Sequence, residues 1–253
     1  RTDTFVWRKM PITSRARPVA RTQHASAMQM DRSLIVIGGA DHSNYLLNDV
    51  WSINLDDRFL EWRELSADGS SPMPSRIGHG AAMLNETAVL IMGGNSPEQY
   101  GVPDLWAFDT EREGRAAWAL LKTWEPGVTG PRACYLPLLV PDSDGRGVRA
   151  VWGTPGNALD GSKLEDLDAT QTWRFYLSEQ QWQQVNTSGT PPADLWAPLL
   201  TSLRNRSVAV GAFGWMIEPG AYVNPVDSVF RLNEDEEWEH LAAPADESCV
   251  DAP

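Results

Sequence analysis

Four histidines and two cysteines are the side chains in this chain best suited to hold a metal ion or to form a nucleophile and base. They are His24, His42, His79, His240, Cys134 and Cys249. Metal sites and catalytic dyads bring such residues together at short, regular spacings, and none of the six lies within five positions of another. The sequence therefore predicts no catalytic residue, no metal site and no cofactor.

Three Asn-X-Ser/Thr triplets could instead accept a glycan. They begin at Asn85, Asn186 and Asn205. Each falls in an expected surface turn, and used sites would indicate a glycoprotein in the extracellular space or the secretory pathway. Asparagine is also a preferred turn residue that serine or threonine commonly follows, so the cytoplasm is the alternative location.

The histidines, cysteines and asparagines named above are distributed over a segment that recurs along the chain. Each copy has an arginine, an apolar run, a glycine pair, an aspartate close to an aromatic residue, and a lone tryptophan. The tryptophans that end the copies are Trp7, Trp62, Trp118, Trp182 and Trp238. Their steps of 55 to 64 residues indicate stacked copies of one unit. In the clearest copy residues 88–92 form a continuous apolar run and residues 104–109 alternate, which predicts a four-stranded antiparallel sheet.

This pattern resembles the kelch repeat, whose units are the blades of a β-propeller. The first two copies match at every signature position. Those positions are Arg21, His24, residues 34–37, Gly38, Gly39, residues 48–51 and Trp62, and then Arg76, His79, residues 89–92, Gly93, Gly94, residues 104–106 and Trp118. The third and fourth copies are identified mostly by spacing. The resemblance covers about residues 5–245 and implies an all-β fold.

We therefore expect a partial kelch-type β-propeller over residues 1–245, followed by a tail at 246–253. It has four recognisable four-stranded blades, at about 22–66, 77–122, 133–186 and 196–242, and an orphan outer strand at 5–10. Because that strand has no inner strands of its own, we expect the four blades to belong to a larger ring.

The repeated residue types have physical reasons. Glycine pairs allow backbones to approach where a Cβ atom would collide, and the repeat tryptophans bury apolar surface between blades. The arginines that precede the inner strands, Arg21, Arg76 and Arg132, are expected to be buried. A buried charge without a partner is costly, so each should meet a carboxylate or carbonyl group.

Composition limits the class of partner. The chain of 253 residues has a formal net charge of −13, which argues against nucleic acid, since binding there is led by Lys and Arg at phosphates. No apolar run approaches the ~20 residues that a membrane-spanning helix needs.

Long loops on one propeller face are the expected binding surface, because loops on a rigid scaffold commonly carry specificity. They are residues 40–48, 95–103, 154–171 and 213–226. Candidate partner-binding residues within them are Tyr45, Tyr100, Trp215, Met216, Tyr222 and His42. In the alternative interpretation, these side chains pack back onto their own blades.

Two classes of function follow. Kelch relatives are commonly interaction modules, so the resemblance implies a non-catalytic structural protein or scaffold that binds a protein partner, joins a larger protein complex, or contacts a glycan. The alternative is a carbohydrate-active or metal-dependent oxidase-type propeller enzyme, with its site in missing blades or in the central channel.

Overall fold

The computed structural model describes residues 9–56, 60–67, 69–132, 135–142, 144–151, 172–189, 199–202, 208–211, 216–218, 221–222, 229–233 and 235–241. The chain divides into two compact units, residues 1–121 and 122–253. Within the described ranges the regular structure is β-strand except for one short 3-10 helix, Gly114–Ala117. None of these segments is a helix long and apolar enough to cross a membrane.

The first sheet has an interrupted inner strand. Its strands are β1 (Arg21–Thr22), β2 (Ala25–Met28), β3 (Ser33–Asp41), β4 (Leu46–Asn54) and β5 (Trp62–Ser66). All pairings are antiparallel, and β1 and β2 pair with different parts of β3. Gln23 lies between them with a φ of 52°, so β1 and β2 act as one broken strand. The sheet is therefore four strands wide.

The second sheet has the same order without the interruption. Its strands are β6 (Gly80–Met83), β7 (Ala88–Met92), β8 (Asp104–Asp109) and β9 (Trp118–Thr123). Residues 89–92 of β7 are completely buried, as the continuous apolar run predicts. The 3-10 helix lies in the connection between β8 and β9.

The second unit contains the third and fourth sheets. The third is formed by β10 (Leu138–Pro141), β11 (Gly147–Val151), β12 (Thr172–Tyr176) and β13 (Gln181–Val185). The fourth is formed by β14 (Ser188–Gly189), β15 (Leu199–Ser202), β16 (Val208–Gly211), β19 (Val229–Leu232) and β20 (Glu237–Leu241). β14 runs parallel to β20, and the other four strands form an antiparallel sheet. The all-β prediction and the four-stranded antiparallel unit are confirmed.

An arginine, an aspartate and a tryptophan form the same buried group in both sheets of the first unit. In the first sheet Arg21 donates to both carboxylate oxygens of Asp49, at 2.5 and 2.8 Å, and the Trp51 indole donates to Asp49 Oδ2 at 2.7 Å. The second sheet repeats this with Arg76, Asp104 and Trp106. In each Asp-X-Trp motif, one carboxylate therefore neutralises a buried arginine and also accepts the hydrogen bond of the indole N–H.

Arg132 is exposed, so the prediction that it would be buried like Arg21 and Arg76 is wrong. The reason lies in the sequence of the third copy, which has Gln171 two residues before Trp173 where the first two copies have an aspartate. Without a carboxylate at that repeat position, burying a guanidinium there would be costly.

The third sheet holds a different set of charges, of which Asp142 and Arg149 are buried and Arg174 and Glu236 partly exposed. Arg174 donates to Asp142 Oδ2 at 2.9 Å, and Arg149 Nε lies 3.5 Å from Asp142 Oδ1. Arg149 also donates to Glu236 Oε2 at 3.3 Å, across to the turn between β19 and β20. Burial raises the pKa of Glu236, against the lowering effect of Arg149 and Arg174. This group joins the two sheets of the second unit.

Close backbone approach explains the glycine pairs. Gly39 has a φ of 98°, and a Cβ atom on it would lie 2.7 Å from the Thr22 carbonyl oxygen. Gly94 has a φ of 86°, and a Cβ atom on it would lie 2.6 Å from the Ile77 carbonyl oxygen. Both the left-handed backbone and the lack of space exclude other residues. Only the lack of space was predicted from the sequence.

Trp118 packs between the two sheets of the first unit. Its ring lies 4.6 Å from that of Phe108 and 6.4 Å from that of Trp106, and its indole donates to Ser66 Oγ at 3.4 Å. The same apolar core includes Ile35 and other buried residues of the first sheet. A repeat tryptophan is therefore part of the core, as predicted.

The segments that precede the first and fourth sheets run along the outer strands of those sheets. In the first sheet Thr13 N donates to Leu60 O and Trp62 N donates to Ser14 Oγ, both at 2.9 Å. In the fourth sheet β14 occupies the equivalent place beside β20. Residues 5–8 of the expected orphan strand and the tail at 246–253 lie outside the described residues. The blade boundaries and the open ring stay predictions.

Candidate partner-binding surface

One end of the first sheet carries two adjacent segments. The backbone of Arg21 lies opposite that of Asp41, where β1 pairs with β3. Ala20, which precedes β1, therefore lies next to the β3–β4 turn at residues 42–45. The turn is shorter than the expected loop at 40–48, because β3 and β4 extend into it.

The same end of the first unit carries the β7–β8 connection. Arg76 N donates to Leu47 O at 3.1 Å, and Gly39 N donates to Arg76 O at 3.0 Å, so the entry to the second sheet lies against the β3–β4 end of the first. Ile77 then exchanges two backbone hydrogen bonds with Asn95. We call the surface formed by residues 42–45 and 95–103 the loop face.

The turn at 42–45 is fixed by Asp41. Its Oδ1 accepts from Ser43 N at 2.8 Å and from Tyr45 N at 2.9 Å, and Asn44 adopts a φ of 60°. The Tyr45 amide, together with that of Ser43, lowers the pKa of the Asp41 carboxyl group. Tyr45 is 61% exposed and His42 is exposed as well. The turn therefore presents Tyr45 to solvent from a rigid backbone.

The loop at 95–103 is held by hydrogen bonds of its own. Asn95 Oδ1 accepts from Gly101 N at 2.8 Å, and Ser96 Oγ accepts from Gln99 N at 3.1 Å. Val102 N donates to the Gly94 carbonyl group at 2.9 Å. Tyr100, at the tip, is 66% exposed. Neither tyrosine packs back onto its blade, which was the alternative interpretation.

The candidates in the second unit fall partly within the described residues. Trp215 lies outside them. Met216 and Tyr222 belong to β17 (Met216–Glu218) and β18 (Ala221–Tyr222), which pair antiparallel with Met216 opposite Tyr222. The expected loop at 213–226 therefore contains a small two-stranded sheet. The β3–β4 and β7–β8 connections of the first two copies have no such hairpin, so their pattern could not reveal it.

Three exposed residues of the segment before β1 were not singled out from the sequence. Arg15 and Arg17 are exposed, and Val19 is 54% exposed. They lie between the outer strand of the expected preceding blade and β1, where the repeat has no signature residue. The available signal was the lack of any acidic residue between Lys9 and Asp31.

A pocket of about 520 Å³ lies elsewhere on the first unit, between β5 and the turn that follows β8. Its lining includes Arg63, Glu64, Thr110, Glu111 and Glu113, so charges of both signs alternate. In the described part of the chain no group of three or more His, Cys, Asp or Glu residues could hold a metal ion.

Two of the three glycan acceptor candidates can be placed. Asn85 and Asn186 are exposed, and Asn85 Oδ1 accepts from the amides of Thr87 and Ala88 within the β6–β7 turn. Asn205 lies outside the described residues.

Comparisons with known proteins agree with the repeat. Residues 1–214 match the family model described as the KLHDC2/KLHL20/DRC7 Kelch-repeats domain. Adagio-like protein 1 of Oryza sativa subsp. japonica is 27% identical over 198 residues, a match that covers 75% of this chain and 30% of that protein. Serine/threonine-protein phosphatase BSL2 of Arabidopsis thaliana is 30% identical over 147 residues, covering 58% of this chain and 13% of that protein.

The chain spans less than a third of the length of these two relatives. Among solved structures, the structure of YjhT is similar over 93% of this chain and 68% of that chain, with a TM-score of 0.64 and 16% sequence identity. At that identity the likeness concerns the fold alone. The family model, the sheets and the repeated Arg–Asp–Trp groups agree, and the chain belongs to the kelch-repeat family, with a kelch-type β-propeller fold.

Proposed function

We propose that this chain is a non-catalytic protein-interaction module that uses the loop face to bind a protein partner or to dock into a larger assembly. The observation that carries the proposal is the pair of exposed tyrosines, Tyr45 and Tyr100, at the same end of the first unit. Both sit on backbones already fixed by hydrogen bonds. Ordered aromatic side chains lose little entropy on binding and are favoured anchors in interfaces.

The family supports this proposal in general terms, since kelch propellers commonly serve as interaction modules. Trp215, Met216, Tyr222 and His42 are kept as further candidate contact residues, the first three in the second unit and His42 in the β3–β4 turn. A contact with a glycan on the partner is compatible with exposed tyrosines.

Affinity capture from cells, quantified by mass spectrometry, tests the proposal. Tyr45→Ala combined with Tyr100→Ala should reduce the capture of specific partners at least about tenfold, because aromatic anchors carry much of the binding energy. Met30→Ala combined with Leu55→Ala is the matched control, since both are exposed apolar residues in turns at the opposite end of the first sheet. Equal capture by both double variants and the unaltered protein would reject the loop face, and substrate turnover would favour the enzyme alternative.

A further inference from the structure

Half of the exposed large apolar side chains of the described residues gather at one end of the first sheet, the end opposite the loop face. Ten such side chains are exposed in the described part of the chain, and five of them are Met10, Ile12, Met28, Met30 and Leu55. Met30 is the most exposed of the ten, at 85%. Single exposed apolar residues are ordinary on protein surfaces, whereas a cluster of them marks an interaction site. We call these five residues the apolar patch.

The inner part of the apolar patch lies on two neighbouring turns. The β2–β3 turn carries Met30 and directly follows Met28. Leu55 N, just past the end of β4, donates to the Arg32 carbonyl oxygen in that turn at 3.1 Å. These three apolar side chains are therefore carried by adjoining pieces of backbone.

The outer part of the apolar patch lies on the segment docked beside β5. Ile12 lies opposite Leu60 in a parallel bridge, and Thr13 N donates to Leu60 O at 2.9 Å. Leu60 belongs to the connection that begins at Leu55, so Met10 and Ile12 continue the patch past the outer strand. From β2 to the docked segment there are four interchain spacings of about 4.8 Å, which together span about 19 Å.

Hydrogen bonds hold the turns of the apolar patch in place. The Asp31 carboxylate accepts from Ser33 N at 2.9 Å and from Ser33 Oγ at 3.0 Å, and Asn54 Nδ2 donates to Asp31 O at 3.1 Å. Gln29 Nε2 donates to Thr110 Oγ1 of the second sheet at 3.0 Å. The surface is therefore preformed, and little conformational entropy is lost when a partner binds to it.

The charges beside the patch differ between its two ends. The outer end carries two exposed cations that form no ion pair with a described residue, Lys9 and Arg15. One is next to Met10 in the chain and the other follows Ser14, which accepts from Trp62 N. One carboxylate lies beside them, that of Glu61, which accepts from Thr13 Oγ1 at 3.1 Å. At the inner end Arg32 and Asp56 pair with each other at 3.0 Å. In a chain with a net charge of −13, the outer end is thus locally basic.

We propose that the apolar patch binds an amphipathic α-helix of a partner protein, with acidic residues at the end of the helix that lies over Lys9 and Arg15. A helix of about 12 residues rises about 18 Å, which matches the span of the patch. Methionine side chains are unbranched and polarisable, and they adapt to the apolar faces of such helices. The two cations complement carboxylates on the helix. This site is separate from the loop face, and the inference does not depend on the proposed function.

Selection from a display library of helical peptides tests the inference. Each peptide has about 12 residues, with leucine in an i, i+3, i+4, i+7 stripe and Ala, Glu or Lys at every other position. Peptides selected on the unaltered protein should favour Glu over Lys. They should bind about tenfold more weakly to Met30→Ala combined with Leu55→Ala, because apolar anchors carry much of the binding energy.

Leu120→Ala combined with Val128→Ala is the matched control, because both are exposed apolar residues outside the patch. This control should keep binding within about twofold, as is usual for remote surface changes. Loop-face partners should stay bound to the Met30 and Leu55 variant, and the selected helices should stay bound to Tyr45→Ala combined with Tyr100→Ala. Failure of one site is therefore distinguishable from failure of the other.

Charge reversal tests the orientation of the helix. Lys9→Glu combined with Arg15→Glu should weaken binding of the selected acidic peptides about tenfold at low salt and less as salt is added, since exposed charges are screened. Arg112→Glu combined with Arg115→Glu makes the same change in charge in the connection between β8 and β9. That control should leave binding within about twofold.

Three results would overturn the inference. The first is selected peptides that are rich in lysine or that bind equally to the Met30 and Leu55 variant. The second is a dimer, detected by light scattering, that the same variant dissociates, because a second copy would then cover the patch. The third is patch-dependent binding to vesicles of phosphatidylcholine and phosphatidylserine that the selected helices do not compete away.

Discussion

Arg76 and Asp104 lie 28 residues apart in the sequence and form a two-pronged ion pair inside the second sheet, with Nη1–Oδ1 and Nη2–Oδ2 distances of 2.7 and 2.8 Å. The Arg76 side chain is fully buried. The same pair recurs as Arg21 and Asp49 in the first sheet. The repeat therefore places one compensated charge pair in the interior of each of these two sheets.

Replacing Asp104 with Asn should destabilise the protein strongly. The change leaves the Arg76 guanidinium buried without a counter-charge, which costs about 3–5 kcal/mol of unfolding free energy. Urea unfolding measures the loss. Asp109→Asn is the matched control, because its partner Arg112 is exposed and such surface pairs contribute about 0–1 kcal/mol. Similar losses in the two variants would contradict the assignment.

Gly94→Ala should cost far more than Gly114→Ala. Both glycines have positive φ angles, so alanine pays a backbone cost of about 1–2 kcal/mol at either position. At Gly94 the new Cβ atom would also meet the Ile77 carbonyl oxygen at 2.6 Å, whereas nothing lies within 4 Å at Gly114. Thermal unfolding of the two variants side by side shows the difference, and equal melting temperatures would show that the close approach is unimportant.

Trp118→Ala should reduce the unfolding free energy by about 3–5 kcal/mol, the range for large aromatic truncations in cores. The reason is its contact with Phe108 and its position between two sheets. Leu120→Ala in the same strand is the control, because Leu120 is 50% exposed. Denaturant titrations decide the matter, and a loss below about 1 kcal/mol for Trp118→Ala would place it with surface residues.

Acid should weaken the fold through His79. Burial, with the nearby Arg76 charge, lowers the pKa of His79 from 6.5 to about 3, despite an opposing effect of the Ile37 backbone. The ring is thus neutral when folded but takes up a proton when unfolded below pH 6.5. Its contribution to stability is complete above that pH and is lost as the pH falls towards 3, by up to about 1.4 kcal/mol per pH unit.

His79→Gln removes this titration. Between pH 6 and 4.5 we expect the unfolding free energy of the variant to fall less steeply with decreasing pH than that of the unaltered protein. The difference between the two slopes should correspond to nearly one proton taken up on unfolding. Comparing the two slopes is necessary because burial and Arg21 lower the pKa of His24 in the same direction. Parallel slopes would mean that His79 is not the group responsible.

Glycosylation at Asn85 or Asn186 is expected if the protein enters the secretory pathway, since both side chains are exposed. Intact mass before and after glycosidase treatment of the native protein gives the answer. Asn85→Gln and Asn186→Gln variants identify the modified position. An unchanged mass would favour the cytoplasm.

The repeat made much of the fold predictable. A continuous apolar run at 89–92 and a glycine pair behind it are consequences of burial and close approach, and both are visible in the sequence. A carboxylate or carbonyl partner for each buried arginine was predictable because a buried charge must be compensated. Arg132 shows the limit of this reasoning, since matching the arginine alone ignored the missing aspartate in its own copy.

The candidate surface was less accessible to prediction. Tyr45 and Tyr100 could be placed on one face from loop phase. Their presentation depends on backbone hydrogen bonds accepted by the side chains of Asp41 and Asn95, which have no periodic signature.

The segments before the first and fourth sheets, each docked along the outer strand of its sheet, also bear on the order of synthesis. Ser14 meets Trp62 and Gly189 meets Trp238, so each docking residue leaves the ribosome almost 50 residues before its partner. Such a segment must wait, unpaired, for a whole sheet to emerge. Because each docking segment is separated from its partner by no more than about one repeat, the chain can fold one blade at a time during synthesis. Synthesis that stops inside a blade would leave at most one docking segment unpaired.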